Sequence, residues 1–119
     1  MNRVKFTVEW DKLKEPRFTT IRSYRPDKLA YYESRVGHEF TVLKVPTEWS
    51  YRGYKLGTAT LRPARVVKPA ELPAAELLHD VAHGGRPDQG WLERLVAMPS
   101  AILLKFENHT GLLHEQGSR

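Results

Sequence analysis

Within nine residues the chain places three guanidiniums and, besides that of Ser23, three hydroxyls: Arg17, Thr19, Thr20, Arg22, Tyr24 and Arg25. Arginine forks match phosphate oxygens and base edges, and a tyrosine ring can stack on an unpaired base. A strand over Phe18–Arg22 puts Phe18, Thr20 and Arg22 on one face and Arg17, Thr19 and Ile21 on the other. The plainer reading is a solvated basic strand edge. A second group, Lys44, Trp49, Tyr51, Arg52, Tyr54 and Lys55, interleaves aromatics with cations in a turn-rich segment. That pattern suits single-stranded RNA, whose bases expose their π faces. Its alternative is that Trp49 and Tyr54 cover the open end of a barrel. Arg62, Arg65 and Lys68 extend the basic character, but Pro63 between the two arginines leaves their faces unassigned. The candidate ligand-binding residues are therefore Arg17, Thr19, Thr20, Arg22, Tyr24, Arg25, Trp49, Arg52, Tyr54 and Lys55, with Arg17 and Thr20 as the candidates for chemistry.

Other chemistries lack their residues. No cysteine occurs, which removes thiolate metal sites, disulfides and a thiol nucleophile. His79 and His83 stand four apart in a helical pattern, like a zinc H-E-x-x-H with Asp80 for Glu, but no third ligand follows at a telling spacing. Two surface histidines near a helix C-terminus are the better account, and neither a metal nor a cofactor is expected. No serine has a triad's surroundings and no phosphate-cradling glycine motif is present.

The elements that must position these groups fit one domain of 119 residues. Val4, Phe6, Val8 and Trp10 alternate with Arg3, Lys5, Thr7 and Glu9, the period of a half-buried strand. Phe18–Arg22, Phe40–Val45, Lys55–Leu61 and Ala64–Lys68 also read as strands, the last two as one long strand broken at Pro63. Pro26 and Asp27 can start a short helix through Tyr31. Leu72–His83 reads as a helix stopped by Gly84-Gly85, and Gly90–Ala97 as a second, capped by Asp88 or Gln89. Ala101–Phe106 is a closing strand, and residues 109–119 read as a loose tail after a domain spanning 1–108. Strands, then two short helices, then a strand predict an α+β domain: a small, partly open barrel of five or six mostly antiparallel strands. No apolar run approaches a membrane span and no signal-peptide core opens the chain, so the expected location is the cytoplasm, away from membranes.

Charge is unevenly distributed. The net charge is +5 and the pI about 9.6. Up to Lys68 fifteen Lys/Arg face seven Asp/Glu, a net +8; from Pro69 onward four face seven, a net −3. A basic first half favours a polyanionic partner, with nucleic acid the commonest, although excess charge can serve solubility alone.

Arg17-Phe-Thr-Thr-Ile-Arg22, Val36-Gly37-His38-Glu39, the run Val66-Val67-Lys68-Pro69-Ala-Glu-Leu72 and Ile102–Phe106 together resemble the ASCH domain of the PUA-like superfamily, over most of residues 3–107. The resemblance implies a PUA-like barrel and an RNA or nucleoside ligand. Some bacterial members are small amidohydrolases of acetylated cytidine using a Lys, a Thr and a Glu. Thr20 falls on the Thr position and Arg17 on the Lys position, while His38 with Glu39 replaces the acidic turn residue. Arginine does not lose its proton as a pocket lysine can. The Glu has no matched position; Asp80 and Asp88 lie in its region without a matched motif.

Three functions follow as expectations. The first is an RNA-binding or modified-nucleoside-binding domain with a basic, hydroxyl-lined cleft at Arg17–Arg25. The second is a small hydrolase of a modified nucleoside or of RNA, which requires a carboxylate within reach of the Thr20 hydroxyl. The third is an adaptor whose basic face meets an acidic protein. Oligomeric state is not encoded legibly.

Overall fold

A computed structural model describes residues 2–50 and 52–111. The strands are β1 (Arg3–Phe6), β2 (Phe18–Ser23), β3 (Glu39–Lys44), β4 (Tyr54–Val67), β5 (Ala82–His83), β6 (Arg86–Pro87) and β7 (Ala101–Gly111); the helices are α1 (Pro26–Glu33), α2 (Ala74–Asp80) and α3 (Gln89–Val96). Five strands form one sheet in the order β1-β3-β4-β7-β2, and β5 pairs with β6 in a separate hairpin. β1 runs parallel to β3, and the other neighbours in the sheet are antiparallel. The sheet curls into a half-barrel of α+β class. Its two edge strands approach each other closely enough for Phe6 and Phe18 to meet edge-on at 6.1 Å.

The curl follows from period-two patterning. Val4 and Phe6, Phe18 and Thr20, Phe40 and Val42, Ala59 and Leu61, and Ile102, Leu104 and Phe106 are all buried. On the outer face Ile21 opposes Leu103, and both join a buried cluster with Leu77 of α2 and Leu95 of α3. β4 crosses β7 so closely at Gly57 that a Cβ there would lie 1.6 Å from the Thr110 carbonyl oxygen. β4 is one continuous strand with a register shift between Arg62 and Arg65, where Pro63 interrupts the ladder.

Four sequence expectations change. The first strand ends at Phe6, because residues 7–10 turn away to enter a 3-10 turn at Asp11–Lys14. The two helices counted beside the barrel are joined by a third, α1, the short helix that Pro26 and Asp27 can start. The expected Leu72–His83 helix holds only over Ala74–Asp80: Ala82–His83 leaves it to pair with Arg86–Pro87 around Gly84 and Gly85, whose φ values are 64° and 80°. β7 runs on to Gly111 and buries His109, so residues 109–111 belong to the sheet and not to a tail; residues 112–119 lie outside the described residues, as does Tyr51. Asp88 does cap α3, its Oδ1 accepting from Trp91 N at 3.0 Å. Among the described residues no helix is long and apolar enough to cross a membrane.

Candidate functional site

The half-barrel's seam carries a polar cluster. The 3-10 turn between β1 and β2 buries both Leu13 and Lys12, and Lys12 is only 1% exposed. Its ammonium Nζ lies 2.5 Å from Asp80 Oδ1, at the last residue of α2. From β2, Arg22 Nε donates to Thr20 Oγ1 at 3.2 Å. The Arg22 guanidinium sits 4.7 Å from the Phe6 ring centroid and the Lys12 ammonium 5.5 Å from the same centroid. Thr20 and Asp80 are buried, whereas Arg22 keeps partial contact with solvent. Its Nη2 atom is nevertheless enclosed and has no hydrogen-bond partner among the described residues.

Two cations thus face one carboxylate against an aromatic wall. Burial penalises charge and pulls the Lys12 pKa down to about 8, although the Asp80 carboxylate beside it works in the opposite direction and Arg22 adds to the fall. Burial also lowers the pKa of Arg22, against the influence of Tyr32 from α1 and of Asp80. A second device holds the seam. Both carboxylate oxygens of Asp11 accept backbone N–H groups, from Gly84 at 2.9 Å and Gly85 at 2.8 Å. This ties the β5–β6 hairpin, and with it the end of α2, to the turn that carries Lys12.

The residues singled out from sequence do not assemble into one cleft. Thr20 and Arg22 point into the cluster. Arg17 and Thr19 face the opposite side and, with Lys105, Ala75 and His79, line an outer groove of about 430 Å³ between β2 and α2. Arg25 is exposed and engaged by Asp27 through two hydrogen bonds of 3.1 and 2.9 Å. Tyr24 is exposed nearby. Trp49, Arg52, Tyr54 and Lys55 lie at the other end of the sheet. Tyr54 opens β4 opposite Lys44, whereas Val67 closes it opposite Ala101, the partner of Ser23 just before Tyr24. Trp49 is 80% exposed, and the Tyr54 hydroxyl donates to the Glu9 carboxylate. No carboxylate among the described residues bonds the Thr20 hydroxyl, whose partner is Arg22. His79 pairs with Glu15 at 3.0 Å while His83 lies in the hairpin, so the two share no helix face. No group of three or more His, Asp or Glu that could hold a metal occurs among the described residues.

Sequence reasoning missed Lys12, which stands in the polar segment between the first two strands. One faint signal was available: the inward series Val4, Phe6, Val8, Trp10 reaches Lys12 at its next step. Asp80 was noticed only by region. The cluster therefore supplies a lysine and a carboxylate from positions outside the linear motif around Thr20. No protein-family model, no curated protein and no solved structure matches the chain.

Proposed function

We propose that the seam of the half-barrel binds a modified nucleoside, with Arg22 and Thr20 as the recognising groups and the Lys12–Asp80 pair fixing the charge around them. The observation that carries this reading is the enclosed Arg22 Nη2 without an acceptor. A buried donor left unpaired costs about 1–3 kcal/mol or more when charged, and a ligand carbonyl oxygen removes that cost. Acylated pyrimidine nucleosides present such oxygens at the base and at the acyl group, and the resemblance to ASCH domains points to the same ligand class. The excess positive charge beside Asp80 favours a ligand edge rich in acceptors. Calorimetric titration of acetylated cytidine, with cytidine and uridine as comparisons, tests it. Saturable binding by the native chain that is lost in Arg22→Gln supports the assignment. Equal heats for both proteins, or none for either, removes it.

A second reading is hydrolysis of the same ligand. Thr20 has no carboxylate partner, so a Thr20-centred version loses its base. In this version the base is Lys12, whose pKa burial pulls down to about 8 against the Asp80 carboxylate, so that its amine gives up its charge more readily than a free lysine does. Release of cytidine and acetate from acetylated cytidine, rising as pH passes 8 and absent in Lys12→Met, is the expected result. An activity indifferent to that substitution rejects it.

A further inference from the structure

The outer face of the sheet carries a row of cations that the cluster at the seam does not use. Thr19 of β2 opposes Lys105 of β7, and Lys105 opposes Arg62 of β4. These three side chains therefore form one row across three neighbouring strands, spaced by roughly 4.8 Å per strand. The register shift at Pro63 brings Arg65 opposite Leu103, on the same face as Lys105. Without that shift, residues 62 and 65 would point to opposite faces. Arg17 extends the row into the groove beside α2. Like charges directly opposite across an antiparallel pair destabilise it, and here Lys105 and Arg62 stand so. Glu107 answers Arg62 alone, at 3.2 Å. Arg17, Lys105 and Arg65 are exposed, and their side chains make no hydrogen bond or ion pair among the described residues. Glu76 lines the groove, and Glu15 nearby is engaged by His79.

We infer that this row binds the phosphodiester backbone of single-stranded RNA without reading its sequence. The spacing suits a chain of repeated anions better than one compact ligand, and arginine forks match phosphate oxygens. The groove between β2 and α2 gives the backbone an entry beside Arg17. The site is separate from the nucleoside site at the seam, and each can fail without the other.

Anisotropy of a short labelled oligouridylate across about 50–200 mM salt tests the proposal. Three phosphate contacts, from Arg17, Lys105 and Arg65, predict a slope of about −2 in log affinity against log salt for a single strand. Lys105→Gln and Arg65→Gln should each lower its magnitude by about 0.7, and unlabelled acetylated cytidine should not compete. Both substitutions are at exposed positions, and urea unfolding of each variant verifies that it folds. No binding at the lowest salt, slopes unchanged in both variants, or equal displacement by polyglutamate at matched charge would each overturn the inference. The last result would assign the face to an acidic protein.

Discussion

Removing either member of the buried Lys12–Asp80 pair should destabilise the fold more than removing both. Lys12→Met leaves the Asp80 carboxylate enclosed without its ammonium, and Asp80→Leu leaves the ammonium without its carboxylate. An uncompensated buried charge costs about 3–5 kcal/mol. Lys12 falls from its ordinary 10.5 to about 8, which sets the charged form at a disadvantage of about 3 kcal/mol. Burial therefore outweighs what Asp80 returns. The double variant Lys12→Met/Asp80→Leu should accordingly lie within about 1 kcal/mol of the native chain, or up to about 4 kcal/mol above it in stability. Urea unfolding at pH 7 of the four proteins gives the coupling directly. Two single variants that each lose less than about 1 kcal/mol, adding in the double, would mean that water screens the pair as it screens a surface ion pair. Such additivity would overturn the expected coupling. The pH dependence has a definite sign. The folded chain releases the Lys12 proton before the unfolded chain does, so the native protein should gain stability relative to Lys12→Met as pH rises from about 8 to 10.5. The limiting slope is about 1.4 kcal/mol per pH unit.

His109 gives a second titration. Burial holds its pKa below 6.5 even though its Nδ1 lies 3.3 Å from the Glu15 carbonyl, and its Nε2 is enclosed without a partner among the described residues. Its stabilising contribution is therefore present above pH 6.5 and lost as pH falls through the folded value, so urea midpoints should drop between pH 7 and 5 by more in the native chain than in His109→Gln. Gly57→Ala must displace the Thr110 backbone and should cost about 3 kcal/mol. Gly90→Ala meets only Asp88 Oδ1 at 3.5 Å and should stabilise α3 by about 0.5–1 kcal/mol. Asp11→Ala removes the acceptor of two backbone N–H groups. Amide exchange at Gly84 and Gly85 should accelerate selectively, with the core strands unchanged.

Much of the architecture was legible because several strands repeat an apolar residue every second position, as in Phe40–Val42 and Ile102–Leu104–Phe106. Pro63 announced the bulge, and Asp88 announced the α3 cap. What could not be read was long-range. Ala82–His83 continues a helical pattern, yet Gly84-Gly85 and the Asp11 carboxylate make a hairpin more favourable there. The candidate site divided in the same way. The alternation of Phe18–Arg22 correctly sent Thr20 and Arg22 to one face and Arg17 and Thr19 to the other. Nothing local showed that Tyr54 and Tyr24 stand at opposite ends of β4, because the length and register of a central strand decide that. Lys12 was invisible for a related reason: its carboxylate partner lies 68 residues away on another element. The faces of Arg62 and Arg65 depended on how the ladder resumes beyond Pro63, which sequence spacing alone leaves open.

The nucleoside site is tested most directly by nitrogen-detected NMR of the arginine side chains during titration with acetylated cytidine. The Arg22 guanidinium resonances should move saturably while those of Arg25, already held by Asp27, stay fixed. Movement confined to exposed arginines, with Arg22 unmoved at saturating ligand, would contradict that assignment.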